Sequence, residues 1–583
     1  MRLFLDLFWF FKLEKKSYLL GILFLAIVAL INLYQPYVVR NVVDNIHEKT
    51  LTMKSLGFWV ISLLLSGGLI YILRYFWRIS IFGSAIRLSR LLRNKLFHHF
   101  TQMSPSFFHN HRTGDLMAHA TNDIQAIEMT AGQGVFTLVD SLTTGGLVIF
   151  SMAYFLSWKL TLIALAPMPI MAWATSRYGT LLHTRFFKAQ EAFSALNDKV
   201  QENISGVRVI KAFGQEEAEI DSFRTLSSEV VAKNIAVAKV DSLFDPTIMV
   251  IVGFSFFLAI SFGAREVIQN RLTLGELTQF TLYLGQFIWP MLAFGWLFNI
   301  VERGRASYDR VKYLLDIEPE VRNSQSSMNE SFLNGNLTYS ISSFCYPGQA
   351  HPALKDIQFT LLKGQTLGIA GKTGSGKTTL LRLLMREFDV SEGIIEIGGI
   401  PITRITLSAL RSKIGYVPQE HFLFSTTIAE NIALGKPTAS MKEIEEAAQL
   451  SSIAGEIENF PKGYETPVGD RGVTLSGGQK QRLSIARAFL LNPEILVIDD
   501  SLSAVDAQTE KSILHALKAN RSGKTTLISA HRLSAIEHAD LILILDDGRV
   551  SEQGTHQALM DRDGWYARNY RAQQLELQLE ERG

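Results

Sequence analysis

The chain has 583 residues, of which 47% are hydrophobic and 19% charged, with a formal net charge of +2. That length asks for more than one domain, and so even a balance gives no pull toward nucleic acid, which is not expected as a partner. The single cysteine, Cys345, excludes an intrachain disulfide framework, and a mean hydropathy of +0.15 is too apolar for an ordinary soluble enzyme of this size.

The apolar character is concentrated in the first half. The run from Tyr18 to Leu33 leads into Tyr34-Gln-Pro-Tyr37 with no small-residue cleavage site, so it reads as a retained membrane helix rather than a signal peptide. A hydrocarbon core about 30 Å thick needs about 20 apolar residues in a helix. Six stretches qualify: 18–38, 56–77, 134–157, 160–180, 245–264 and 276–300. The third and fourth are separated only by Ser157-Trp-Lys159, which predicts a tight hairpin. The long intervals after the second and fourth stretches keep helical periodicity and predict two antiparallel arms reaching on the order of 35–40 Å beyond the membrane. Both arms are basic, through Arg78, Arg87, Arg90, Arg93, Lys95 and Arg112 in one and Arg185, Lys188, Lys199, Arg208, Lys211 and Arg224 in the other. The bias of Lys and Arg toward cytoplasmic loops places the arms inside the cell, and six crossings place both termini there as well. The expected location is therefore the cell membrane, with lipid as a partner.

Two features of these segments bear on cargo. Phe280, Tyr283, Phe287, Phe294 and Phe298 fall on one face of the sixth segment, with Trp289 and Trp296 opposite. Such a stripe serves helix packing or lines an apolar cavity for amphipathic compounds. Asp140 sits inside the third segment, where an acid is costly and faces either a cationic ligand or a structural hydrogen-bond partner. Both pairs of alternatives stay open at this point.

Residues 1–316 are thus expected to form a six-helix membrane domain, 317–336 a polar linker and 337–583 an α/β nucleotide-binding domain. In the last, the strand-like runs Thr366–Ala370, Ile495–Ile498, Thr526–Ser529 and Leu541–Leu545 alternate with helices, the pattern of a parallel sheet. Gly371-Lys-Thr373-Gly374-Ser375-Gly376-Lys377-Thr378 follows the first of these strands and opens a helix at Thr379. This is the phosphate-binding loop of P-loop NTPases: glycines let backbone N–H groups wrap phosphate oxygens, Lys377 reaches the β- and γ-phosphates, and the Thr378 hydroxyl coordinates Mg²⁺. The expected ligands are ATP and Mg²⁺. Ile495-Leu-Val-Ile-Asp499-Asp500 is a buried strand ending in two carboxylates, of which Asp499 would hold Mg²⁺ through water.

Between these lies Leu475-Ser476-Gly477-Gly478-Gln479, followed by Lys-Gln-Arg482. On this motif the chain resembles the ATP-binding cassette family, and the resemblance covers its whole length, with the layout of an exporter half-transporter. It implies that Ser476 and the glycine amides at a helix start form a second anion site, which closes on ATP held by the opposite subunit. It also implies that Tyr346 stacks on adenine, that Gln419 contacts Mg²⁺ and the membrane domain, and that His531 contacts the γ-phosphate. Ser503-Ala-Val-Asp506 matches a loop that speaks across the dimer, and Pro467-Val-Gly-Asp470-Arg471-Gly472 departs from its usual form at Pro467 and Asp470. Phe107–Asp115 and Gly206–Glu216 resemble the coupling-helix regions at the arm tips, where glycines allow the turn.

The family's catalytic base follows the Mg²⁺-binding aspartate and is normally Glu. Here it is Asp500, which draws the carboxylate back by about one C–C bond, ~1.5 Å. A misplacement near 1 Å costs on the order of 10²-fold in rate. The site on this chain's phosphate loop is therefore expected to be catalytically degenerate, with an intact Ser476-Gly477 completing a competent site on a partner. That pattern resembles heterodimeric multidrug exporters of the family. A lipid or peptide exporter on the same scaffold, or a non-transporting ATP-dependent sensor, are the competing readings.

Overall fold

The computed structural model describes residues 2–323, 335–469, 472, 474–502 and 505–580. The chain divides into two compact units, one of Met1–Thr101 with Thr113–Ile317 and one of Gln102–Arg112 with Glu318–Gly583.

In the first unit, five helical runs are long and apolar enough to cross a membrane: Lys15–His47, Met53–Gln102, Thr113–Leu165, Glu216–Ile268 and Leu274–Asp316. They include five of the six expected stretches. The stretch 160–180 is instead divided between the helices Trp158–Leu165 and Met168–Ser205. The break falls at Ala166-Pro167, where proline removes a backbone donor. The expected three-residue hairpin contracts to one residue. Ser157 alone is extended, at φ −158° and ψ 117°, and its hydroxyl accepts from the Leu160 amide at 3.3 Å to start the next helix.

The arms are continuous with the membrane helices. Met53–Gln102 runs for 50 residues, about 75 Å at 1.5 Å per residue. Met168–Ser205 packs along Glu216–Asp241, and Lys199 bridges to Glu219 at 2.6 Å. The short helix Val207–Phe213 joins them. Its turn uses Gly214, which is left-handed at φ 62°, while Gly206 sits at φ −93° and needs no such freedom.

Much of the aromatic stripe is packed. Phe280 is 0% and Tyr283 3% exposed, in one core with Val148, Met152, Leu160 and Ala259, and Phe287 lies against it. The Tyr283 hydroxyl donates to the Leu33 carbonyl at 2.9 Å. Trp289 and Trp296 are exposed and meet edge to face. The Phe294 side chain lies outside the described residues. Asp140 accepts from the Thr144 hydroxyl one turn along its own helix at 3.0 Å. Phe280→Ala is therefore expected to cost about 3 kcal/mol or more of fold stability, as buried Phe-to-Ala changes do. A lowered thermal midpoint of the solubilised protein checks this, and an unchanged midpoint would contradict the packed reading.

The second unit is built on two sheets. The larger has six strands in the order β10-β9-β3-β8-β7-β6, namely Arg549–Gly554, Leu541–Asp546, Thr366–Gly371, Thr525–Ser529, Ile495–Asp499 and Ile414–Val417. All but β10 are parallel, and β7 and β8 are buried at every residue, as strands covered on both faces must be. A four-stranded antiparallel sheet, β2-β1-β4-β5, adds Leu354–Leu361, Leu337–Phe344, Glu392–Ile397 and Ile400–Pro401. In the parallel sheet β3 lies between β8 and β9, and Asp499 pairs in register with Ser529. The ends of β3, β7 and β8 therefore open on one edge, where ligands bind in open parallel sheets.

Candidate functional site

The phosphate loop grows from the end of β3. Gly371, Gly374 and Gly376 take φ values of 145°, 83° and 101°, which favour glycine. The helix Lys377–Leu384 then begins with no side-chain cap, so its first amides are left for an external acceptor. A Cβ on Gly374 would meet open space. The Ser375 hydroxyl is buried without a partner, and the Lys377 ammonium donates to the Gly371 and Lys372 carbonyls, each at 2.9 Å. Burial holds the Lys377 pKa below its usual value, against the pull of Asp500 and Asp499. Uncapped amides, an orphaned hydroxyl and a buried ammonium fit an anionic ligand such as a nucleotide phosphate. Thr373 is exposed in the loop, and Thr379, in the first turn of the helix, hydrogen-bonds the Tyr346 hydroxyl at 2.8 Å. Tyr346 itself is half-buried between Phe344 and Phe388, with both rings set edge to face against it.

Asp499 is fully buried at the end of β7. Its carboxylate accepts from the Thr378 hydroxyl at 3.1 Å and from the Tyr416 hydroxyl at 3.2 Å. Burial pushes its pKa up against those hydrogen bonds. A hydroxyl and a carboxylate set face to face suit a hard divalent cation, which takes oxygen ligands. Gln419, expected beside them, instead donates to Asp500 at 3.4 Å.

Asp500 is left-handed at φ 47°, a conformation Asp tolerates better than most residues. Its amide donates to the Ser529 carbonyl at 2.9 Å, and its carboxylate lies 3.6 Å from Nε2 of His531. The structure thus gathers Asp500, Gln419 and His531 around one carboxylate. It also recruits Tyr416, whose hydroxyl bonds Asp499, and Arg382, whose charge acts on both Tyr416 and Asp499. The β6–β7 register, with Tyr416 opposite Val497, is the signal that brings Tyr416 to the site.

The Ser476 motif starts a different helix. Leu475 is buried, and Ser476 caps the helix Gly477–Leu491 in a reciprocal arrangement with Gln479. The Ser476 hydroxyl accepts from the Gln479 amide at 3.3 Å, which leaves its own hydrogen free to donate outward. Gly477 and Gly478 form the first positions of that helix. Among the described residues no hydrogen bond joins Ser476–Gln479 to 371–379. Asp506 caps Ala507–Asn520 by accepting from the Gln508 and Thr509 amides. Ser503, Ala504, Asp470 and Arg471 lie outside the described residues, as does 324–334 of the expected linker.

Comparison with known proteins agrees with this anatomy. The model of the ABC transporter transmembrane region matches residues 18–291, and the ABC transporter model matches residues 354–503. The chain is 47% identical over 569 residues to the Bacillus subtilis protein named "Probable multidrug resistance ABC transporter ATP-binding/permease protein YheI", covering 97% of each. It is 47% identical over 581 residues to the Escherichia coli "Multidrug resistance-like ATP-binding protein MdlA", covering 100% of this chain and 98% of that one. Among solved structures, a bacterial Atm1-family ABC exporter with ATP bound superposes with a TM-score of 0.79 at 27% identity, covering 96% of this chain and 98% of that one.

Proposed function

The chain belongs to the ABC transporter family, as an exporter half-transporter with fused membrane and nucleotide-binding domains, and we propose that it is one subunit of a heterodimeric pump for amphipathic drugs or other hydrophobic compounds. Its sequence resembles the BmrC half of the Bacillus heterodimeric multidrug exporter BmrC–BmrD, and two relatives carry multidrug-resistance names. The arms, the termini and the ATPase unit are taken to be cytoplasmic, as their basic residues suggest.

What supports a two-chain reading is the Ser476 hydroxyl hydrogen, free to donate at a helix start that no hydrogen bond among the described residues joins to the phosphate loop. In this reading a second chain brings a phosphate to it. In the site on this chain, the loop amides and Lys377 bind the ATP phosphates, Ser375 adds its orphaned hydroxyl, and Tyr346 offers its ring to the base. Thr378 and Asp499, with Gln419 nearby, would hold Mg²⁺, which when bound neutralises phosphate charge. Tyr416 keeps the Asp499 carboxylate aimed. His531 and Gln419 share Asp500, which as the shorter acid falls back from the attacking water, so ATP persists here while the partner's site turns over. That persistence would hold the pair partly closed.

The purified chain alone is expected to be a poor ATPase, with turnover appearing when the native partner chain is added. Strong drug-stimulated turnover from the chain by itself would overturn the heterodimer.

A further inference from the structure

The Ser476 motif is held by an acid outside it. Glu456 lies on the short helix Ala454–Glu458, anchored by the fully buried Ile457 and by Ile453. One carboxylate oxygen accepts from Nε2 of Gln479 at 2.8 Å. The other meets the Arg482 guanidinium at 2.6 Å. Gln479 in turn uses its Oε1 to accept from the Ser476 amide at 2.9 Å. Arg482, on the same helix, also donates to the Gly478 carbonyl at 3.3 Å and to the Ser452 carbonyl at 2.8 Å. A Gln amide is nearly symmetric in shape and can flip. With Nε2 committed to a carboxylate, only Oε1 is left facing Ser476, and the cap has one orientation.

We propose that Glu456 is a positioning residue for the Ser476 motif: it fixes the rotamer of Gln479, and through it the direction in which the Ser476 hydroxyl and the Gly477 amide face a nucleotide on the partner. The proposal rests on the reading that this motif completes the partner's site. Glu456 touches no nucleotide in that arrangement. It acts by removing the alternatives open to Gln479, the kind of support on which a binding site's precision depends.

The test is steady-state ATPase of the full-length pair in proteoliposomes, with kcat and KM for ATP measured separately. Glu456→Ala is expected to lower kcat about 10-fold with little change in KM, since the motif is misaimed by a fraction of an ångström while the phosphate loops are untouched. Gln479→Glu sets a second carboxylate against Glu456 and should do the same. The exchange Gln479→Glu with Glu456→Gln restores a donor facing an acceptor, and should recover kcat to within about 3-fold of the wild type. That rescue separates positioning from a merely structural loss, and it does not depend on the alanine variant folding. Failure of the exchange to recover kcat, or an unchanged kcat in Gln479→Glu, overturns the proposal. Ser476→Ala is the reference: if it leaves turnover intact, the underlying reading of the motif has failed, independently of Glu456.

Discussion

Replacing Gly371 by alanine is expected to cost roughly 2–6 kcal/mol, from backbone strain and overpacking together, and to abolish nucleotide binding on this chain. Gly371 has φ 145°, and a Cβ there would lie 2.1 Å from the Leu545 carbonyl oxygen and 2.8 Å from the Ser375 hydroxyl. Leu545 pairs in register with Gly371 on β9. Neither strand can retreat without breaking its ladder, and moving Ser375 displaces the loop that meets the phosphates. Gly374→Ala is the matched control. It shares the left-handed conformation, at φ 83°, but its Cβ would meet nothing within 4 Å, so strain alone applies, about 1–2 kcal/mol. Thermal unfolding of the full chain and binding of a fluorescent ATP analogue check both. Wild-type binding by Gly371→Ala would contradict the close strand–loop contact.

Gly477→Ala should have the opposite profile, a sound chain that fails in the pair. A Cβ at Gly477 meets nothing within 4 Å in its own chain. The residue opens the helix Gly477–Leu491 with a helical φ that alanine adopts without strain. The variant should therefore unfold no earlier than the wild type. Turnover of the reconstituted pair should nevertheless fall at least about 10-fold, because the added methyl occupies space that backbone amides need to approach a phosphate. Wild-type turnover would mean that the start of this helix is not a nucleotide contact.

The parts of the ATPase unit that were legible in the sequence are those with a single physical solution. Strands β3, β7 and β9 are mostly apolar and β8 is buried at every residue, because both faces are covered, and they read as strands at once. The phosphate loop read directly because its glycines take conformations that other residues avoid. The antiparallel sheet was not read. Strands β1 and β2 alternate buried and exposed residues, and β4 begins with the exposed Glu392, so neither presents an apolar run. The membrane half was legible in length and composition, but Pro167 divided a stretch whose hydropathy alone suggested one helix. The aromatic stripe gave the right face and left its use open, because hydropathy does not tell a cavity wall from a packed seam. Phe280 and Tyr283 turned out to be seam.

Within the site, what escaped were partners distant in sequence. Gln419 meets Asp500 across 81 residues, through the β6–β7 pairing, and Tyr416 reaches Asp499 through the same register. Glu456 is one acid among many on a five-residue helix, and only the fold places it beside Gln479.

The most direct measurement of the central claim, two unequal ATP sites with the weaker one on this chain, is the turnover of Asp500→Asn in the reconstituted pair. A working general base contributes roughly 10²–10⁴-fold. If Asp500 is too short to serve, removing its charge should lower steady-state ATPase by well under ~10-fold, far short of a base's contribution. Loss of turnover by 10²-fold or more, the size expected of a general base, would show Asp500 to be one and would contradict the account.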